Sequence, residues 1–289
     1  MFWTLLIGSI SIGCIYGLVG LGYSLIYKAS AQMSFAQGEI LMLGGFLTLL
    51  FYKELELPFV LALLLATCLM FIFGILLERL VIRRLVNRKA DVIFVVLATI
   101  GLSYVLQNAA MLIWGSNTKR FPQIFPMSVV KLGSVNVQPE SLFGIVLAVA
   151  LMILVHLFMN KTRFGTAMRA ASQNPLAAKV MGVNTHKTTS LSWAIACVLT
   201  AFAGVIVGPL YGCSYTMGSM IGTKGFIAAV LGGYGNMYGA ILGGLIIGLL
   251  ETMVSGYISS SLKDIVVFVV LIIVLYLKPS GIFNEKVLS

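Results

Sequence analysis

Nine stretches of near-continuous apolar sequence, each close to the ~20 residues that cross a hydrocarbon core, recur along this chain. They cover about 3–27, 32–52, 57–82, 91–114, 140–160, 189–210, 218–234, 237–256 and 262–278. A backbone in lipid must satisfy its own hydrogen bonds, which leaves helices and closed barrels. The stretches are continuously apolar rather than alternating, and that excludes a barrel. The fold class that follows is all-α: a polytopic transmembrane helical bundle of about eight to nine spans. Segment two opens on the polar string Ser34-Phe35-Ala36-Gln37-Gly38-Glu39, and segment seven is short and rich in glycine. Either is a candidate broken or re-entrant helix, and one re-entrant segment would lower the count to eight.

Composition agrees. Of the 289 residues 60% are hydrophobic and 10% charged, against roughly a quarter charged in a soluble domain. The net charge of +10 is read as a positive-inside signal, not as a nucleic-acid surface. Arg79, Arg83, Arg84, Arg88 and Lys89 fall on one side, with Lys161, Arg163, Arg169, Lys179, Lys187, Lys28, Lys278 and Lys286. Lys53, Lys119, Arg120, Lys131, Lys224 and Lys263 fall elsewhere. This bias places the N-terminus outside and the C-terminus inside. Met1-Phe2-Trp3 carries no basic leader, so the chain reads as mature protein. Cys14, Cys68, Cys197 and Cys213 lack metal-like spacing and read as small buried residues.

The odd span count makes the two ends of the chain enter the membrane in opposite senses. Residues 1–289 then form a single domain with repeat-like halves at about 1–114 and 189–280, linked by 115–188, as an inverted repeat would. Glycines four apart, as in "GAILGGLIIG" and "GCIYGLVGLG", let helix backbones approach closely and point to packing inside the bundle. Gln37, Gly38, Glu39, Gly232 and Gly233 are the candidate pathway or broken-helix residues. A carboxylate such as Glu39 at membrane depth is costly and faces a cavity or a partner, or else caps a helix N-terminus. Glu251 reads as interfacial or packing, and His156 as a packed polar residue. The connection 115–139 holds Pro122, Pro126 and Pro139, and a small hairpin in which Ser128-Val129-Val130 pairs with 134–137 around Leu132-Gly133. Its length suits a docking surface for an external partner. There is no phosphate loop, no H-E-x-x-H and no nucleophile elbow.

One polar interruption carries its own helix signals. Asn174 is a good N-cap and Pro175 suits the first helical position. Leu176, Ala177, Ala178, Lys179, Val180 and Met181 continue the helix, and Gly182 supplies its stop. Two turns are marginal alone, so this helix must pack on something. A partner groove on the basic side is one candidate, and the membrane surface is the other.

Here the sequence resembles a family. "FGTAMRAASQNPLAAKVMGVN" is similar to the cytoplasmic coupling loop of the inner-membrane permease subunits of branched-chain amino acid ABC transporters. "MSFAQGEILMLGGF", "ERLVIRRL", "LATIGLSYVLQN", "GVIVGPLYG", "KGFIAAVLGGYGNMYGAILGGLIIGLLE" and "VLYLKPSGIF" extend the likeness over nearly the whole chain, closest to the shorter of two paired permeases. The resemblance implies a transport subunit, not an enzyme, in a bacterial or archaeal cytoplasmic membrane. Its implied partners are membrane lipid, a second homologous permease or another copy of itself, two cytoplasmic ABC ATPases and an extracytoplasmic substrate-binding protein. The chain itself needs no cofactor, since ATP and Mg²⁺ are bound by the ATPases, and Asn174–Gly182 is the ATPase-coupling helix. Leu176, Ala178 and Val180 are expected to fill the ATPase groove. Two alternatives stay open: the same permease type importing urea, amides or another small solute, and a secondary transporter driven by protons through Glu39 or Glu251.

Overall fold

A computed structural model describes residues 2–88, 90–122, 124, 130–132 and 135–283. All nine apolar stretches hold helices. These are α1 (Phe2–Ser30), α2 (Gln37–Leu49, prolonged by a π-helical turn Leu50–Glu54), and α3 (Phe59–Leu77), which runs through a π-helical turn Glu78–Ile82 into α4 (Arg83–Asn87). Then follow α5 (Val92–Trp114), α6 (Pro139–Lys161), α7 (Arg163–Gln173), α8 (Pro175–Val180), α9 (Thr185–Tyr211), α10 (Met217–Gly232), α11 (Met237–Tyr257) and α12 (Lys263–Leu277). Among the described residues six helices are long and apolar enough to cross a membrane, and α10 is a shorter apolar helix. The chain is a multi-pass membrane protein. Helix α2 begins only at Gln37, because 31–36 hold a bend, an extended stretch and a turn after α1. The polar string therefore straddles the start of α2, with Gln37, Gly38 and Glu39 in its first turn.

The hairpin also forms, with a shifted register. Strands β1 (Val130–Leu132) and β2 (Val135–Val137) pair antiparallel, with Val130 opposite Val137. Of the residues expected to pair or turn, Ser128, Val129, Gly133 and Ser134 lie outside the described residues.

Helices α1 and α9 form the centre. Their middles are buried almost continuously, from Gly13 to Ile26 and from Ser192 to Gly208. Around them α11 and α10 pack on α1, and α3 and α2 pack on α9. In lipid, apolar side chains gain nothing from leaving solvent for one another, so close approach and contact area decide which helices associate. Glycine makes that approach possible. A Cβ on Gly244 would stand 2.8 Å from the Gly13 carbonyl oxygen, and one on Gly74 would stand 2.8 Å from the Ala194 Cα. The glycines four apart therefore serve packing inside the bundle, as their spacing predicts.

Helices α5, α6 and α12 are peripheral. On α5 only Val95, Thr99 and Ala110 are buried, and Leu112 and Ile113 project outward. At one end of the bundle, Arg83 forms a bidentate pair with buried Glu78 (3.1 and 2.7 Å), and Ser190 of α9 donates to the same carboxylate at 2.6 Å. This ties the α3–α4 helix to α9 beside α7 and α8. At the opposite end, the backbones of Lys119 and Cys213 exchange hydrogen bonds of 2.8 and 2.9 Å and hold the 115–122 segment over the α9–α10 turn.

Two expectations about burial fail. Cys68 is exposed, whereas Cys14, Cys197 and Cys213 are buried as expected, and all four are free. His156 is exposed and shares a 2.6 Å hydrogen bond with the Tyr238 hydroxyl. Lys224, whose burial the charge count leaves open, is buried on α10. The common cause is that a helix apolar all round does not announce which face turns inward.

Candidate functional site

Two places gather the residues the sequence singles out. The first is the α7–α8 unit. Thr162 caps α7, accepting from the Gly165 amide at 3.0 Å, and α7 turns Gly165, Met168 and Ala171 inward. Asn174 then caps α8, its Oδ1 accepting from the amides of Leu176 (3.1 Å) and Ala177 (3.0 Å), with Pro175 in the first position. At the other end, the Val183 amide donates to the Ala178 carbonyl (2.9 Å) and the Gly182 amide to the Lys179 carbonyl (3.0 Å). Those two bonds are a Schellman stop, and Gly182 at φ +83° supplies its left-handed residue.

What α8 presents is decided by its facing. Leu176, Val180 and Met181 are 75%, 87% and 83% exposed, while Ala178 is 4% exposed. Ala178 therefore packs back on the chain and cannot help fill an external groove; Met181 takes its place on the outward face. The α7 helix was not read from the sequence. Its signal was there: a Thr N-cap followed by Phe164, Met168 and Ala171 at helical spacing.

The second place is the meeting of α2 and α10. Here the first turns of two short helices cross backbone to backbone. A Cβ on Gly218 would lie 2.6 Å from the Gly38 carbonyl oxygen, and Gly222 also abuts Gly38. Glu39 stands at this crossing, 1% exposed, with Oε1 3.4 Å from the Ser103 hydroxyl of α5. No described group bonds to its Oε2. Glu39 lies in the first turn of α2, the position where a carboxylate favours the helix dipole. A cavity of about 210 Å³ opens beside it, walled by Tyr23, Phe35, Tyr104 and Phe226 and by Ser103 and Thr223. Next to it, the hydroxyl residues Thr216, Ser219 and Thr223 form an exposed stripe along α10. The Ser219 and Thr223 hydroxyls donate to the Thr216 and Ser219 carbonyls at 3.0 and 2.7 Å.

The candidate pathway residues therefore separate. Gly38 and Glu39 border the cavity. Gln37 turns the other way and donates to the Ala196 carbonyl (3.1 Å) and the Thr200 hydroxyl (2.6 Å), fastening α2 to α9. Gly232 and Gly233 sit at the far end of α10, 16 residues long, where Gly232 packs on Gly239 and Gly233 ends the helix at φ +101°. They make the turn into α11 rather than part of the cavity. Among the described residues no group of three or more His, Cys, Asp or Glu converges as a metal site.

With this geometry in hand, comparison with known proteins finds one family, described as "Branched-chain amino acid transport system / permease component", matching residues 5–275. The chain is 31% identical over 245 residues to the high-affinity branched-chain amino acid transport system permease protein BraD of Pseudomonas aeruginosa, covering 80% of this chain and 79% of that one. It is 32% identical over 254 residues to the permease protein LivH of Escherichia coli, covering 82% and 80%. Among solved structures, PsaBC from Streptococcus pneumoniae in complex with Fab superposes with a TM-score of 0.52 over 96% of this chain and 92% of that one, at 14% identity. That likeness is one of fold.

Proposed function

The chain belongs to the permease-component family of branched-chain amino acid transport systems, and from that membership we propose that it is the membrane-spanning subunit of an ATP-driven importer of branched-chain amino acids. The observation that carries the reading is α8. A helix of six residues, capped at both ends, holds Leu176, Val180 and Met181 away from the bundle at its Arg-rich end. Apolar side chains held out on a braced helix suit a groove on a partner. The chain has no phosphate loop of its own, so ATP and Mg²⁺ belong to two ATPase subunits, and Asn174–Gly182 is the handle they move. Motion at α8 passes to the centre through α7, which packs on α1, α6 and α9.

The membrane part works as a pair, with a second permease or another copy of this chain. The exposed apolar face of α5 and the hydroxyl stripe of α10 support a pathway at that junction, with Glu39 and the cavity beside Ser103 along it. The basic α7–α8 end faces the cytoplasm, placing the N-terminus outside, and the 115–139 connection meets a substrate-binding protein. The halves 1–114 and 189–280 are an inverted repeat. Contacts that recur in pairs support this: α1 lies on α11 as α9 lies on α3, and α10 lies on α1 as α2 lies on α9.

Deleting the gene from its host tests the reading. The deletion strain is expected to lose uptake of leucine, isoleucine and valine supplied at low concentration, with return on complementation. Unchanged branched-chain uptake with loss of urea or amide uptake would replace the substrate assignment.

A further inference from the structure

Lys224, Glu251, Lys263 and Asp264 are ionisable groups that the coupling account leaves without a role. They meet where α10, α11 and α12 converge on α1. Lys224 Nζ lies 2.6 Å from Glu251 Oε1 and 2.8 Å from Asp264 Oδ1, and Lys263 Nζ lies 3.2 Å from Glu251 Oε1. The Tyr16 hydroxyl donates to Glu251 Oε2 at 2.6 Å, and the Lys224 ammonium sits 5.8 Å from the Tyr16 ring centre. Lys224 and Glu251 are buried, while Lys263 and Asp264 are partly open. An ionisable group inside a membrane helix is costly and marks function more often than packing.

A cavity of about 270 Å³ ends on this cluster. Thr118 and Ser214, from the connections at the hairpin end, are among its lining, and Ile12, Ile15, Val207, Met217 and Ile221 are among its apolar walls. One space thus offers a cation, an anion and an aliphatic lining, which are the three features of a branched-chain amino acid in its zwitterionic form.

We propose that this cavity binds the amino acid itself: its carboxylate is taken by Lys224 and Lys263, its ammonium by Glu251, and its aliphatic side chain by the lining of Ile12, Ile15, Val207, Met217 and Ile221. The proposal rests on the branched-chain reading above. The balance of charge explains the selectivity. Two cations and two carboxylates neutralise one another in the empty cluster, and a zwitterion enters without changing the total. A neutral amide or a sugar brings no charge to replace the partner that Lys224 or Glu251 must give up, so opening the pair for it leaves a buried charge uncompensated.

The test measures uptake of labelled leucine and valine by the complete importer, with its binding protein saturated. In the double variant K224M/E251L both charges leave together. An apolar pair in place of a buried ion pair is often neutral for stability, so the variant is expected at its normal level in the membrane. Leucine uptake is expected to fall by about tenfold or more, since paired charges that a ligand engages are worth that much. Unchanged uptake overturns the site. If the double variant fails to accumulate, Ile221→Phe narrows the apolar wall without touching a charge. It is expected to reduce leucine uptake relative to valine by about tenfold, the discrimination that one methylene supports in a filled pocket. Equal loss of both substrates, or of neither, assigns the cluster to helix packing and overturns the site alone. Absence of leucine and valine uptake by the unsubstituted importer overturns the branched-chain reading, and the site with it.

Discussion

Replacing Leu176 and Val180 together with aspartate is expected to abolish branched-chain uptake while the chain stays in the membrane at its normal level. Both side chains are largely exposed, at 75% and 87%, and surface substitutions of this kind change stability by about 0.5 kcal/mol or less. If the two side chains fill a groove on an ATPase, each is a buried anchor worth about 2 kcal/mol, and losing both weakens docking by about a thousandfold. Immunoblotting of membranes and uptake in the same cells separate the two effects. Leu112→Gln, at an outward position on α5 outside the coupling helix, serves as the control and is expected to transport normally. Ala178→Asp is expected to fail for a different reason. Ala178 is 4% exposed, so an aspartate there pries α8 from the chain and the helix itself is lost.

The second large effect lies at the crossing of α2 and α10. Gly38→Val and Gly218→Val are each expected to eliminate the folded bundle. The atoms a new Cβ would meet are backbone: the Gly38 carbonyl oxygen stands 2.6 Å from a Cβ at Gly218, and Gly222 Cα stands 3.1 Å from one at Gly38. Overpacking against movable side chains costs about 1–3 kcal/mol. Here neither neighbour can rotate away, so both helices must separate, and the Gln37 bonds to α9 and the Glu39 cavity go with them. Size-exclusion chromatography in mild detergent reads the outcome as loss of the monodisperse peak. Gly8→Ala provides the contrast, since nothing lies within 4 Å of a Cβ there. In a helix that change is expected to stabilise, by about 0.5–1 kcal/mol. Valine tolerated at both crossing positions would mean that the helices do not approach as described.

Much of this fold was legible because lipid permits so few solutions. Nine apolar runs had to be helices, and the string from Ser34 to Glu39 marked where one of them begins. The ends of α8 were legible for a local reason: Asn174, Pro175 and Gly182 each solve a backbone problem at one position and need no distant contact. Facing was harder to read. In runs that are apolar on every side, only contacts distant in sequence decide that Cys68 looks out, that His156 meets Tyr238, or that Gln37 fastens to Ala196 instead of lining a pathway. The clamp of Glu78, Arg83 and Ser190 was hidden in the same way. Its sequence showed only a basic cluster, and the buried carboxylate that gives Arg83 its place lies one helical turn earlier.

Lys224 is the instructive case. Counted by sign alone it adds to the charges away from the basic side. Placed on α10 it becomes half of a buried pair with Glu251, 27 residues later and on the next helix. A lone lysine between Thr223 and Gly225 in an apolar run was a visible anomaly. Its partner was the part that only the fold supplies.

Reconstitution tests the central claim most directly. The chain, its partner permease and two ATPases are placed in liposomes with the binding protein on the opposite face, and labelled leucine is followed with ATP present or withheld. The account predicts leucine accumulation that requires ATP, disappears when L176D/V180D replaces the unsubstituted chain, and is indifferent to an imposed proton gradient. Accumulation driven by that gradient without ATP, and undiminished by L176D/V180D, would contradict it.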